Sequence, residues 1–412
     1  MNLEYNVRKL LTIQETNFQI IDLKVFPDKI IWVLDHKEEA RYICPMCKKV
    51  CNTAHDKYWI TLRDVPVGTQ EVYWEVNRAR IRCSCSWGPI VEEMPFKSKN
   101  HFITKRMEAY IEEILSAQMI TVIDVARIFG IDYGLVYKID HAMLLRRIQH
   151  HEIEDPINIC VDEKSFKKGH SYVTIVTDAD RAKVIWVSEG NRKESLDEFF
   201  KILGEERCKK IKTVSKDLHK PYKLSCQQYI PHAIEVADKF HVIQRLNKTI
   251  DEARKEVTIT ARAKVKEKFK INSMNWIMRY KMENLSENQL ESLEQLQKLN
   301  EPLYRAYLLK EKFFELFEFI PKMIKQAESF LLNWLIELES IGLGALNRFI
   351  DYALENNEVI LNIIRERRSS ALSEGINRKV SVIKTMAYGY RNIQYFMLKI
   401  MQRCGVLGNL NH

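Results

Sequence analysis

Two apolar runs that each end in an aspartate constrain this chain more than any other feature of its sequence. Ile157 to Asp162 and Ile211 to Asp217 both read as strands, and each delivers a carboxylate to one edge of a sheet. Divalent metal ions such as Mg²⁺ prefer oxygen ligands, so carboxylates gathered at one edge predict a metal site. The pattern therefore predicts a metal-binding α/β domain, of which residues 153–242 form the first part.

The elements expected around these runs follow the order βββαβαβ. Strands are expected at Asn158–Ser165, Tyr172–Asp178, Lys183–Glu189, Ile211–Asp217 and Ala233–Phe240, and helices at Glu194–Leu203 and Pro221–Tyr229. In a sheet of the ribonuclease H type the first and fourth strands lie side by side, which would make Asp162 and Asp217 neighbours. A third carboxylate must come from a helix. Glu374 is the favoured candidate, because Glu163 would point to the opposite face of its strand.

These three acids suit phosphodiester chemistry. Two Mg²⁺ or Mn²⁺ ions held roughly 3.5 to 4 Å apart can activate a water or hydroxyl and stabilise the leaving oxygen. Asp162, Asp217 and Glu374 are the predicted ligands and catalytic residues. For any one of them, the alternative is a solvated residue at a strand end or a helix cap.

Composition limits the classes of protein to consider. The 412 residues carry a net charge of +9, which favours a polyanionic partner such as nucleic acid, although many other basic proteins share this balance. We find no run of eighteen apolar residues and no signal-peptide core in Met1 to Leu11, so no membrane partner is expected. Nine cysteines, an odd number, favour thiolate ligands in a reducing cytoplasm over disulfides.

Residues 1–100 predict a small β-rich domain that binds one structural Zn²⁺. Hairpin strands are expected at Ile20–Phe26 and Lys29–Leu34, and further strands at Tyr58–Leu62 and Gln70–Cys83. Two thiolates three residues apart can grip one zinc ion, and a second pair completes the tetrahedron. The predicted ligands are Cys44, Cys47, Cys83 and Cys85, with Cys51 or His55 as possible substitutes for one of them. The alternative is a set of buried free thiols.

Beside this cluster, Arg78, Arg80 and Arg82 alternate along one predicted strand face. They either contact DNA phosphates or form a solvated basic strand.

Residues 101–152 predict a helix-turn-helix. Thr121 can cap a helix over Val122–Phe129, Gly130 permits the turn, and Asp132 can cap a second helix from Tyr133 onward. The second helix would enter the major groove, with base or phosphate contacts from its exposed residues. The candidates for these contacts are Tyr133, Gly134, Tyr137 and Lys138. An ordinary helical hairpin is the alternative.

The rest of the chain reads as helical. Residues 243–368 form a predicted all-helical insertion, and residues 369–412 form the terminal helices that carry Glu374. Within the insertion, Lys264, Lys266, Lys268 and Lys270 are either phosphate or dimer contacts or a solvated helix face.

Several blocks of sequence, in the same order, resemble the ISL3 family of bacterial insertion-sequence transposases. They are Cys44-Pro45-Met46-Cys47, Leu62-Arg63-Asp64-Val65-Pro66, Arg80-Ile81-Arg82-Cys83, Asp124-Val125-Ala126 with Gly130, Val161-Asp162-Glu163, Val214-Ser215-Lys216-Asp217 with Tyr222, Asp238-Lys239-Phe240-His241-Val242, Ala306-Tyr307-Leu308-Leu309-Lys310-Glu311 and Glu374-Gly375-Ile376-Asn377. Ordered blocks are far more specific than any one motif.

The resemblance implies a DDE triad, Asp162, Asp217 and Glu374, on a ribonuclease H-like fold interrupted by a helical insertion. Asp238-x-x-His241 resembles a Cys/Asp-x-x-His signature of related transposases. His241 would then orient the site or a strand, and the alternative is a core histidine.

The expected function is therefore a transposase that binds the terminal inverted repeats of its element and then cleaves and joins strands. Double-stranded DNA is the expected partner, bound by a homo-oligomer that is most simply a dimer. Two rivals remain open, a DNA-binding regulator that does not cut and a nuclease of the same fold that does not join strands.

Overall fold

The computed structural model describes residues 17–51, 53–117, 120–167, 171–260, 274–367, 371–387, 389–405 and 407. The chain divides into two compact units, residues 1–150 with 407–412 and residues 151–406. The finer domain boundaries stay predictions. Lys264, Lys266, Lys268 and Lys270 lie outside the described residues.

The first unit is built on a twisted sheet. Its strands are β1 Phe18–Val25, β2 Lys29–His36, β3 Tyr42–Ile43, β4 Val50–Cys51, β5 Ala54–Val67, β6 Gln70–Ile81 and β7 Ile90–Val91. The main sheet has the order β1-β2-β6-β5, with β7 on β6, and β3 pairs with β4 separately. The predicted antiparallel hairpin of β1 and β2 is confirmed. Trp74, Leu34 and Leu62 are fully buried at the centre of the sheet core.

Three helices follow, α1 Lys105–Ser116, α2 Val122–Phe129 and α3 Tyr133–Gln149. The predicted caps are confirmed: Thr121 and Asp124 form a capping box on α2, and Asp132 accepts a hydrogen bond from the backbone N–H of Leu135. Gly130 has a φ of 61°, which glycine adopts without the strain that a Cβ brings. The cap residues and the glycine lie at the turn itself, so short-range sequence signals were enough to predict it.

A buried carboxylate attaches these helices to the sheet. Asp64 on β5 accepts hydrogen bonds from the Trp74 indole at 2.8 Å and the Thr104 hydroxyl at 2.6 Å, and it pairs with Arg106. Thr104 is also the residue that caps α1. The Leu62-Arg63-Asp64 block thus fixes the start of α1 on the sheet.

The second unit contains a five-stranded mixed sheet. Its strands are β8 Asn158–Lys167, β9 Ser171–Asp178, β10 Lys183–Glu189, β11 Thr213–Lys216 and β12 Ile234–Ala237, and the helices between them are α4 Lys193–Leu203, α5 Glu205–Cys208 and α6 Lys220–Tyr229. The strand order is β10-β9-β8-β11-β12. Strands β8 to β10 are antiparallel neighbours, whereas β11 runs parallel to both β8 and β12. The predicted order of elements is confirmed, apart from the one-turn helix α5, which the sequence analysis missed.

Helices make up the rest of this unit. They are α7 Lys239–Thr260, α8 Glu287–Leu299, α9 Glu301–Phe313, α10 Ile324–Glu339, α11 Gly344–Glu355, α12 Asn357–Glu366, α13 Ala371–Met386 and α14 Ile393–Cys404, with short 3-10 turns at Ile277–Arg279, Met282–Asn284, Phe314–Glu318 and Pro321–Met323. Phe313, Trp334 and Phe349 form the aromatic centre of the helical core. None of the helices within the described residues combines the length and apolar character that crossing a bilayer requires.

Candidate active site and metal centre

Asp162 and Asp217 lie on neighbouring parallel strands. The register pairs Val161 of β8 with Lys216 of β11, and each of these residues directly precedes one of the two aspartates. The expected side-by-side arrangement of the first and fourth strands is therefore present.

Asp162 lies in the middle of β8, which covers the predicted strand Asn158–Ser165 and continues to Lys167, so the expectation that a strand ends at Asp162 is wrong. The reason is the neighbouring strand β9, which pairs with β8 as far as Lys167, whereas β11 pairs only as far as Val161. Asp162 thus lies one residue beyond the point where the pairing of β8 with β11 ends. Glu163 faces the other side and accepts a hydrogen bond from Asn191 at 2.8 Å, as alternation along a strand requires.

His241 lies between the two aspartates. Its Nε2 is 3.7 Å from Asp162 Oδ1, and its Nδ1 is 3.5 Å from Asp217 Oδ2. Burial lowers the pKa of His241, but the hydrogen bond to Asp162 and the charges of Asp217, Asp162 and Asp238 outweigh burial and raise the pKa to about 9. The pair of aspartates therefore creates a negative potential that favours a cation between them.

Asp238 supports this histidine from the start of helix α7. The sequence analysis placed a strand through Phe240, which is wrong: β12 ends at Ala237 and α7 begins at Lys239. Asp238 causes the change, because its carboxylate accepts the backbone N–H of Phe240 at 2.8 Å as a helix cap. Its carboxyl is buried, and burial together with the nearby aspartates raises its pKa, against the hydrogen bond from Phe240 and the charge of His241. His241 consequently sits on the first turn of a helix.

Asn377 reaches the same site from helix α13. Its side-chain amide donates a hydrogen bond to Asp162 Oδ2. The sequence analysis gave this residue no role, and the available signal was its spacing of three residues from Glu374, which puts both on one side of a helix.

Glu374 lies on the exposed surface of helix α13. Its carboxylate pairs with Arg378, four residues further along the helix, at 3.7 Å. Within the described chain, the four cysteines are the only group of three or more side chains close enough to share a metal ion. The structure thus brings Asp162 and Asp217 to either side of His241, and Glu374 lies one helical turn before Asn377.

The four predicted cysteines converge in the first unit. The sulfur atoms of Cys44, Cys47, Cys83 and Cys85 all lie within 4.8 Å of one another. Cys44 Sγ is 3.6 Å from Cys85 Sγ, and Cys47 Sγ is 3.4 Å from Cys83 Sγ. A tetrahedron with metal–sulfur bonds of about 2.3 Å has edges of about 3.8 Å, so the group has the size of a Cys₄ metal site.

Backbone amides favour the thiolate form at two of these four sulfurs, whereas the neighbouring cysteines raise the pKa of Cys85 to about 12. The N–H of Cys47 lowers the pKa of Cys44, against the effect of burial, and the N–H of Cys85 lowers the pKa of Cys83 to about 6. Lys48, with a φ of 60°, makes the left-handed turn that closes the first loop. The proposed substitutes, Cys51 and His55, are outside the group, and His55 instead lies 3.6 Å from Asp56.

The three arginines beside this centre do not share one environment. Arg78 donates to the carbonyl of Glu92 at 2.9 Å, and Arg80 pairs with Asp56. Arg82 lies exposed just beyond the end of β6. Two of the three predicted phosphate contacts therefore already have protein partners.

On helix α3, the predicted contact residues lie along one side. The rings of Tyr133 and Tyr137 stack with centroids 6.3 Å apart, and His141 continues the stack at 5.8 Å from Tyr137. Lys138 is exposed beside them, and Gly134 lies one residue after Tyr133 in the first turn. The second helix of the motif thus presents aromatic and basic groups on its accessible surface.

Comparison with known proteins gives consistent matches. The sequence profile of the ISL3 group of DDE transposases matches residues 159–400. The transposase for insertion sequence element IS1001 of Bordetella parapertussis is 29% identical over 360 residues, which cover 87% of each chain. The transposase for insertion sequence element IS1557 of Mycobacterium tuberculosis is 26% identical over 357 residues, covering 81% of this chain and 78% of the relative.

Proposed function

Because the chain belongs to the ISL3 family of DDE transposases, we propose that it binds the terminal inverted repeats of its insertion sequence and catalyses metal-dependent DNA cleavage and strand transfer. The observation that carries this proposal is the parallel pairing of β8 with β11, which puts Asp162 and Asp217 on either side of His241. The order β10-β9-β8-β11-β12, with three antiparallel strands followed by two parallel ones, supports a ribonuclease H-like fold.

The proposed catalytic residues are Asp162, Asp217 and Glu374, which would hold two Mg²⁺ or Mn²⁺ ions. Carboxylate oxygens are the ligands that these ions prefer, and the negative potential that raises the pKa of His241 suits a cation. When bound, the ions supply an activated water or 3′ hydroxyl and stabilise the leaving 3′ oxygen. Side-chain exposures of 14% for Asp162 and 32% for Asp217 leave both carboxylates open to a substrate.

The surrounding residues have positioning roles in this proposal. Asn377 holds one oxygen of Asp162 by hydrogen bonding, and His241 lies near the other. Asp238 caps the helix that carries His241 and so fixes the direction from which the imidazole approaches. Supporting partners of this kind orient metal-binding carboxylates in other enzymes.

The first unit would supply recognition of the element's ends. A structural Zn²⁺ on Cys44, Cys47, Cys83 and Cys85 would stabilise the small β-rich domain, and α3 would enter the major groove. Tyr133, Tyr137 and Lys138 are the proposed contacts to bases or phosphates, with Arg82 as a further phosphate contact. We propose a homo-oligomer, most simply a dimer, on paired ends in the cytoplasm.

A cleavage assay on DNA that carries the element's ends tests this function. The full-length protein with Mg²⁺ should cut at the ends and give strand-transfer products, and EDTA should abolish both. Asp162→Asn and Asp217→Asn should bind the same DNA as tightly as the wild type and fail to cut. Cleavage without joined products would indicate a nuclease, and tight specific binding with no cleavage by the wild type would indicate a regulator.

A further inference from the structure

A second feature of helix α7 lies close to the acid centre. Arg245 is four residues after His241 on α7, so the two side chains project from the same face of the helix, with Cβ atoms roughly 5–6 Å apart. The guanidinium of Arg245 lies over the ring of Tyr352, 4.2 Å from its centroid. An arginine is therefore held next to the histidine that contacts both aspartates.

Tyr352 provides a rigid support for this arginine. It belongs to helix α11, and its ring is buried against Phe349. Burial raises the pKa of Tyr352 to about 12, and the charge of Arg245 lowers it while that of Asp217 raises it further. The phenol thus lies within electrostatic reach of both the arginine and the second aspartate.

Several basic residues on and beside α7 pair with carboxylates. Along α7, Arg254 and Lys255 pair with Asp251 at 2.8 and 2.9 Å, and Arg348 pairs with Glu252 at 2.9 Å. In contrast, no carboxylate in the described part of the chain lies within ion-pair distance of Arg245, which is exposed. An arginine fixed on an aromatic face with its charge unpaired is prepared to bind an anion.

We propose that Arg245, held over the ring of Tyr352, binds a backbone phosphate of the DNA strand next to the phosphate that is cut. This inference rests on the proposed function and adds a substrate-binding residue to it. A guanidinium presents its N–H groups in a planar fork that matches phosphate oxygens, and among the described residues no carboxylate pairs with this fork in Arg245. The contact would position the strand against Asp162 and Asp217.

Four variants test this role in the full-length protein. Arg245→Ala should lower the single-turnover cleavage rate about 10- to 100-fold, because a charged hydrogen bond to phosphate is lost. It should also reduce the slope of log affinity against log salt for end-bearing DNA by about 0.9, the value for one phosphate contact. Arg245→Lys should recover the salt slope but only part of the rate, since lysine lacks the planar fork.

The tyrosine variants separate this role from a purely structural one. Tyr352→Phe keeps the ring and should behave like the wild type, whereas Tyr352→Leu removes the support and should lower the rate in the same direction as Arg245→Ala. Arg348→Ala is the matched control, because that arginine is exposed but paired with Glu252, and its salt slope should be unchanged.

Thermal melting of each variant checks that the fold is intact. If Arg245→Ala, folded as the wild type, cleaves at the normal rate or keeps the full salt slope, the inference is wrong. A wild-type protein that fails to cut end-bearing DNA would instead overturn the proposed function, and the salt slopes of wild type and Arg245→Ala would still decide whether Arg245 contacts phosphate.

Discussion

Asn377 donates a hydrogen bond to Asp162, a residue 215 positions earlier in the chain. A second contact follows two turns later on the same helix, where Lys384 Nζ donates to the carbonyl of Ser165 at 3.0 Å. Residues seven apart share one side of a helix, so these two contacts align α13 along β8. Glu374 lies one turn before Asn377 on this helix and pairs with Arg378, so the residue of α13 that contacts the first aspartate is Asn377.

The Asn377 contact predicts a specific loss of activity. Asn377→Leu should slow cleavage about 10- to 100-fold, because a partner that orients a metal-binding carboxylate is removed. The rate should fall most at low Mg²⁺, since a mobile Asp162 binds the ion less tightly. Single-turnover cleavage across a Mg²⁺ titration measures this effect.

Lys384→Met is the matched control for this variant. It removes the other contact between α13 and β8 without touching Asp162. We expect its Mg²⁺ dependence to match that of the wild type. If both variants shift the Mg²⁺ dependence of cleavage by the same amount, Asn377 acts only by attaching α13 to β8.

The cysteine group predicts one bound zinc ion per chain. Cys44→Ser and Cys83→Ser should lose the metal and, with it, binding to the element's ends, because a structural zinc site contributes directly to folding. Cys51→Ser should keep the metal, since Cys51 lies outside the group of four. Metal analysis of the purified proteins is the measurement, and loss of zinc from Cys51→Ser would show that the assigned ligands are incorrect.

The surface of α3 predicts a phosphate contact that salt can reveal. Lys138→Ala should weaken binding to specific and non-specific DNA alike, and should reduce the salt slope by about 0.9. Arg146→Ala, on the same helix, is the control because Arg146 already pairs with Glu112. Equal slopes for Lys138→Ala and the wild type would exclude Lys138 from the interface.

The helical part of the second unit contains a buried lysine that predicts a large change in stability. Lys310 donates to the carbonyl of Tyr280 at 2.7 Å and pairs with Glu311 at 2.7 Å, with 1% of its side chain exposed. Lys310→Ala removes a donor from the carbonyls of Met278 and Tyr280 and the charge partner of the partly buried Glu311, and should lower the free energy of unfolding by about 3 kcal/mol.

Two residues further on, Lys312 pairs with Glu337 on the surface, where the side chains are 38% and 46% exposed. Lys312→Ala should therefore change the free energy of unfolding by less than about 1 kcal/mol. Urea unfolding of the two variants makes the comparison. If the two variants change the free energy of unfolding by similar amounts, the buried contacts of Lys310 do not stabilise the fold as expected.

Local chemistry explains which parts of the fold the sequence could predict. The caps at Thr121 and Asp132 and the left-handed Gly130 act within a few residues, so the helix Val122–Phe129 and the start of the next helix at Tyr133 were predicted to the residue. The order of strands and helices around Asp162 could also be predicted, because the apolar patterns of those elements are visible within short stretches of sequence.

The remaining features depend on contacts between distant residues. The end of β8 at Lys167, two residues beyond the predicted Ser165, comes from pairing with β9, and the hydrogen bond of Asn377 comes from the packing of α13. Asp238 is different, because its hydrogen bond to Phe240 spans only two residues. This helix cap is a short-range signal, and it was missed because the predicted strand was extended through Phe240.

The central claim is that Asp162, Asp217 and Glu374 bind the catalytic metal ions. Replacing each acid by cysteine tests it directly, because a thiolate is a poor ligand for Mg²⁺ and a better one for the softer Mn²⁺. We expect that Asp162→Cys, Asp217→Cys and Glu374→Cys do not cut end-bearing DNA in Mg²⁺ and regain cleavage in Mn²⁺. Full cleavage in Mg²⁺ by any one of the three would contradict the claim for that residue.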